Sequence, residues 1–259
     1  VIARRTLLAA PALLLARAAS ADKLDAMLAR HVVAHPDGVA RVRYAAWKAG
    51  PDLAALEAWI AAVAAARPSA MPRGEAFAYW ANLYNALTLK VVLDRHPVRS
   101  IRDIRSSGVP FDPKQFFGPW RTRLVAVEGR RLSLDDIEHG IMRPTFRDPR
   151  VHYAVNCASI GCPNLRPAAW REATLERDLD DAAATFVNHP RSATVEADGR
   201  LRVSSIYTWF REDFGGDEAG VVAHLRRHAR PALAARLAPE TRIAGDAYDW
   251  ALNDAVTPS

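Results

Sequence analysis

Cysteine and lysine are scarce in this 259-residue chain: it has 2 cysteines, and lysine stands only at Lys23, Lys48, Lys90 and Lys114 among 35 basic residues. Two cysteines allow at most one bridge. A basic charge carried almost wholly by arginine, in a chain rich in alanine, reads as coding bias rather than as a phosphate-binding surface. The one dense basic cluster, Arg226-Arg227-His228 with Arg230, has no aromatics interleaved, so no nucleic-acid partner is expected. No HExxH and no paired cysteine–histidine spacing occurs, so no metal is expected, and no motif calls for a cofactor. Repeats, low-complexity tracts and Gly/Ser linkers are missing too, which leaves one sizeable domain as the expectation for residues 22–259.

The ends qualify the charge. Val1-Ile2-Ala3-Arg4-Arg5-Thr6-Leu7-Leu8 leads into an apolar stretch to Ala16 and then Ala19-Ser20-Ala21 before Asp22, the pattern of a signal peptide over residues 1–21. Arg4-Arg5 followed by two leucines is similar to a twin-arginine export signal, with a general secretory signal as the alternative. The apolar run falls short of the ~20 residues that cross a bilayer, and no later segment replaces it, so no transmembrane segment is expected in the mature chain. Removing Arg4, Arg5 and Arg17, with no acid among residues 1–21, takes the formal charge from +6 to +3. The expected product is a periplasmic or secreted protein in an oxidising compartment.

Hydrophobic spacing predicts helices over Leu24 to Val33, Leu53 to Ala66, Glu172 to Asn188, and Val221 to Leu237 with a break at Pro231. The strongest is Gly74 to Leu93, where Phe77, Trp80, Ala81, Tyr84, Thr88 and Val91 share a face and Asn82 and Asn85 lie on a neighbouring one. Being apolar nearly all round, it is expected to be the central buried helix. Glu128-Gly129 and Asp198-Gly199 mark two hairpins. Ser133 is placed to cap a helix to about Met142, with Asp136 as its capping-box partner. Val151, Tyr153 and Val155 alternate with His152, Ala154 and Asn156, which predicts a strand ending at Cys157, and an extended segment precedes Tyr248. The whole reads as α+β: a central buried helix on a small antiparallel sheet, surrounded by helices.

Four ordered segments then carry a resemblance: Phe77 to Leu87, Leu134 to Gly140, His152 to Pro163, and Trp209 to Phe214. In that order they resemble the family known as domain of unknown function 547, over a core of about residues 74–214. The resemblance implies no established reaction. A buried helix against a sheet carrying His and Cys is reminiscent of papain-like and transglutaminase-like hydrolases by analogy, although those enzymes start the central helix with the cysteine and no cysteine lies on that helix here.

The His152 to Pro163 run gathers both cysteines with a histidine and an asparagine. One reading makes Cys157 a nucleophile for acyl transfer on an amide or peptide, with His152 or His139 as base and Asn156, Asn82, Asn85 or Glu138 as orienter. In that reading Asn82, Asn85, Tyr84 and Trp80 of the central helix bind the substrate, an unknown small molecule or peptide. The other reading is a Cys157–Cys162 disulfide across a tight loop, stapling the groove of a non-catalytic binding module. A redox role is a weaker variant, since four residues separate the cysteines where thioredoxin-like sites have two. The two asparagines equally fit a scaffold role, holding backbone across the core. One of Glu138 and His139 is expected to face the site while the other caps or pairs with Arg143. Trp209, Phe210 and Phe214 read as core or pocket wall, and Asp213 as a turn or salt-bridge residue.

Overall fold

A computed structural model describes residues 21–105 and 118–255, so all but the last residue of the expected signal segment lies outside the described residues. The first described element is helix α1 (residues 21–31), which hands over to the short hairpin β1 (Val32–Val33) and β2 (Arg41–Val42). The helix expected to reach Val33 therefore stops two residues early, where two β-branched valines favour extended backbone. Helices α2 (Tyr44–Ala49) and α3 (Asp52–Ala64) follow, and then α4 (Arg73–Arg95), the long apolar helix. All but a few of its residues are buried, as its sequence requires. It packs chiefly against α2, α3 and the segment after residue 135, while Val127 and Leu132 of a hairpin join its cluster from another side.

That hairpin is β3 (Val125–Val127) and β4 (Arg130–Leu132), closed by Glu128 and Gly129 at φ 47° and 77°, the left-handed pair that a two-residue turn demands. Ser133 and Asp136 then cap each other as expected: the Ser133 amide donates to the Asp136 carboxylate at 2.7 Å and the Asp136 amide to Ser133 Oγ at 3.2 Å. What they start is a π-helical turn, Asp136–Met142, which runs into α5 (Arg143–Phe146). Wide turns of this kind re-aim side chains and recur at functional sites.

The strand expected over His152 to Asn156 is one turn of helix instead, α6 (Val151–Ala154), and only from Val155 is the backbone extended. Four alternating residues fit a single helical turn as well as a strand when every face is buried, and Val151 to Ala154 are all buried. The start signal is Asp148-Pro149, where the Asp148 carboxylate accepts from the Arg150 amide at 2.8 Å. Helix α7 (Leu175–Val187), the hairpin β5 (Ala193–Val195) and β6 (Leu201–Ser204), α8 (Ser205–Trp209), α9 (Glu218–His228) and α10 (Pro231–Ala234) complete the helical part. The break at Pro231 stands where expected. The extended segment before Tyr248 is β7 (Ile243–Ala247), and it joins β6 in parallel, so the three-stranded sheet β5–β6–β7 is mixed. The molecule is α+β, with its sheets small and separate. No helix among the described residues is long and apolar enough to cross a membrane.

Candidate functional site

Three elements meet around His152. The π turn delivers Glu138 inward and His139 outward, because adjacent residues on a helical turn point apart: side-chain exposure is 10 % for Glu138 and 36 % for His139. Helix α6 places the His152 ring, 2 % exposed, beside Glu138, with Nδ1 3.6 Å from the carboxylate. The short 3₁₀ turn after α8, Arg211–Phe214, brings Asp213 to the other ring nitrogen, 2.6 Å from Nε2. Phe210 stacks on the imidazole at 4.4 Å, and the guanidinium of Arg143 lies over Phe210 while its Nε donates to Asp213 at 2.6 Å. Tyr84 of α4 completes the set, lining the same cleft as Glu138 and helping to hold its carboxyl ionised.

Burial opposes charge on all three central groups and loses on each. The Asp213 hydrogen bond and the neighbouring Glu138 carboxylate outweigh desolvation of His152 and raise its pKa. The adjacent His152 lowers Glu138 in spite of its burial. Against the same opposition, His152 and Arg143 together hold Asp213 down at about 2. The array is therefore an alternating chain of charges, Glu138 carboxylate, His152 imidazolium, Asp213 carboxylate and Arg143 guanidinium. Its members satisfy one another, which is what buried charge requires. His139 lines the cleft as well, with its Nδ1 3.3 Å from an Arg143 nitrogen, so both members of the 138–139 pair face the site rather than one of them, and the outer one also meets Arg143.

The asparagines are clamps. Asn82 donates to the Trp170 carbonyl at 2.9 Å and accepts from the Trp170 amide at 2.8 Å. Asn85 donates to the Ala154 carbonyl at 2.9 Å and accepts from the Asn156 amide at 2.8 Å, tying α6 to the central helix. Asn156 donates to the Pro163 carbonyl at 2.7 Å and accepts from the Ala158 amide at 2.8 Å, which folds the loop between them. Each amide is spent on backbone, so the substrate-binding role expected for Asn82 and Asn85, and the orienting role for Asn156, give way to scaffolding. Trp80 also leaves that group, being buried in the core edge-on to Tyr79.

Cys157 and Cys162 are joined in a disulfide with Cα atoms 6.3 Å apart. Cys157 therefore carries no thiol in this form, and the expected nucleophile is replaced by the expected staple. The loop docks on the C-terminal segment: the Ile160 and Gly161 amides each donate at 2.8 Å, to the Ala251 and Asp249 carbonyls. A Cβ at position 161 would meet the Asp249 amide nitrogen at 2.8 Å, so only glycine lets the two backbones approach this closely. That docking sets Tyr248 against the sulfurs, its hydroxyl 2.9 Å from Cys157 Sγ and 3.1 Å from Cys162 Sγ.

Between array and loop opens a cleft of about 490 Å³, floored by Tyr84, Glu138, His152 and the disulfide and walled by aromatic rings. Trp209 is 48 % exposed and stacks on Trp250 at 5.6 Å, with Tyr248 within 5 Å of both. Arg102 lies over the outer Trp250 ring at 5.2 Å. Trp209 and Phe210 form the pocket wall and Phe214 the core, as read from the sequence, and Asp213 is the salt-bridge residue foreseen. Tyr248, Trp250, Trp120 and Arg102 were not legible as site residues. The closely spaced Tyr248-Asp249-Trp250 in an otherwise polar tail was the one available signal.

No curated protein and no solved structure matches the chain. The matched family region ends at residue 187, so Asp213, Trp209, Tyr248 and Trp250 all reach the site from outside it. Residues 68–187, which supply Tyr84, Glu138, His139, His152 and both cysteines, match the model of the family described as protein of unknown function, DUF547.

Proposed function

We propose that the aromatic cleft binds a small molecule or a peptide, and that the bridged protein works as a binding module. One observation carries this reading: the groups that chemistry would need are engaged with each other, whereas the aromatic surface is open. His152 has a carboxylate at each ring nitrogen and Cys157 is bonded to Cys162, while Trp209 presents about half its surface to the cleft mouth. A concave site with aromatic walls and a few polar groups suits a ligand with a flat or ring-shaped apolar face.

The acyl-transfer reading is supported by the presence of Cys157, His152 and Glu138 on one cleft surface, and it needs the bridge open. The closed bridge also supports export to an oxidising compartment.

The test is tryptophan fluorescence of the oxidised protein titrated with a panel of peptides and ring-bearing small molecules, followed by mass spectrometry of each mixture. Saturable quenching that Trp209→Ala abolishes, with every compound recovered intact, is the expected result. Product release by the bridged protein would replace the binding module with a hydrolase.

A further inference from the structure

The bridge sits oddly for a staple. Disulfides that only hold a fold are usually sequestered, whereas this one forms part of the cleft floor, with Cys157 partly exposed and Cys162 at 5 % exposure. The two sulfurs also differ in their surroundings. Cys162 Sγ faces two hydrogen-bond donors, the Cys157 amide at 3.0 Å and the Tyr248 hydroxyl at 3.1 Å. Cys157 Sγ shares the Tyr248 hydroxyl at 2.9 Å and otherwise has only Ser159 Oγ at 3.6 Å. A neutral disulfide sulfur gains little from such donors, but a thiolate gains much, because hydrogen bonds to an ionised acceptor are about twice as strong as those to a neutral one.

We propose that the Cys157–Cys162 bridge is a thiol–disulfide exchange site, in which an incoming thiolate attacks Cys157 and Cys162 departs into a pocket built to receive its charge.

The electron count closes with a thiol reductant, either a small monothiol or a dithiol. Its thiolate sulfur forms a new bond to Cys157 Sγ as the Cys157–Cys162 bond breaks, and the bonding pair leaves on Cys162 Sγ. The Cys157 amide already points at that sulfur, and the Tyr248 hydroxyl, within reach of both sulfurs, needs only to turn its one proton to the one on which charge develops. Burial pushes the Tyr248 pKa upward, which keeps its hydroxyl protonated and able to donate. Trp209 and Trp250, with centroids 4.9 and 4.6 Å from Tyr248, hold the ring in position. A second thiol then attacks the reductant's sulfur in the mixed disulfide, releasing the oxidised reductant and the Cys157 thiol. In sum, two thiols are oxidised and one protein disulfide is reduced.

The experiment treats the folded, oxidised chain with reduced glutathione, quenches with iodoacetamide at intervals, and maps both cysteines by peptide mass spectrometry. The expected early product carries glutathione on Cys157 and the iodoacetamide label on Cys162. Tyr248→Phe keeps the aromatic wall and removes one donor, and it is expected to slow reduction by about tenfold, the rate equivalent of one hydrogen bond to a charged sulfur. Glutathione trapped mainly on Cys162, a bridge reduced only after denaturation, or wild-type kinetics in the phenylalanine variant would each overturn the assignment. Ligand binding by the cleft is read separately by fluorescence, so either proposal can fail without the other.

Discussion

Replacing Asp213 with asparagine tests whether the Glu138–His152–Asp213–Arg143 array is a closed charge network. The substitution preserves size, removes the charge that Arg143 and His152 share at 2.6 Å each, and leaves Glu138 facing the other ring nitrogen at 3.6 Å. Removing one partner of a fully buried pair costs about 3–5 kcal/mol; with Asp213 a quarter exposed and Glu138 still compensating His152, a loss of about 2–3 kcal/mol follows. In a chain of this size that lowers the melting midpoint by about 4–12 °C.

The pH dependence is the sharper signature. The His152 pKa is raised in the fold, so its share of stability is whole below its ordinary value of 6.5 and fades as pH climbs through the raised one. Asp213 is lowered to about 2 from 3.8, so its share is whole above pH 3.8 and is lost as pH falls toward 2. The difference between wild type and Asp213→Asn is therefore largest between about pH 4 and 6.5, and it narrows in alkali as the wild-type imidazolium loses its proton. Thermal melts followed by circular dichroism at pH 5, 7 and 9 measure this. A difference that stays constant across those conditions, or one below ~1 °C, would refute the charge network.

Two further outcomes follow from the clamps and the staple. Asn85→Leu orphans the Asn156 amide inside the core, at about 1–3 kcal/mol, while the Ala154 carbonyl keeps the Trp170 indole N–H at 3.1 Å, so urea titration should show a clear fall in midpoint; an unchanged midpoint would mean that water replaces the clamp. Converting Cys157 and Cys162 together to serine releases a short loop and should cost roughly 2 kcal/mol by chain entropy, read from the same titration against the oxidised parent.

Some of this site was visible in the residue order alone. Asn82 and Asn85 on a helix apolar nearly all round must find partners, because an unpaired buried amide is costly, and both bond to backbone. The Glu138–His139 pair had to split, since neighbours on a helical turn diverge, and Arg143 one turn on was the natural partner for the outward member. The His152 segment misled because its period-two pattern is only six residues long, Val151 to Asn156, and all six are buried, so alternation carried no information about which face was wet. Asp213 was readable as a salt-bridge residue, but not as the partner of a histidine 61 positions earlier.

Local composition settled the longer helices, the two glycine-turned hairpins and the Ser133 cap, because those depend on backbone preferences and on groups within a few residues. The proximity of the two cysteines in the chain kept a bridge open as an option but did not choose it over a free thiol. Tertiary packing made that choice, and it also decided that His152 lies between two carboxylates and that Tyr248 and Trp250 wall the cleft. The Asp213 and Tyr248 contacts join segments 61 and 91 positions apart, and the second of them goes with the docking of the segment after β7 on the Cys157–Cys162 loop through Gly161. No single segment carries a local energetic signal for such a meeting.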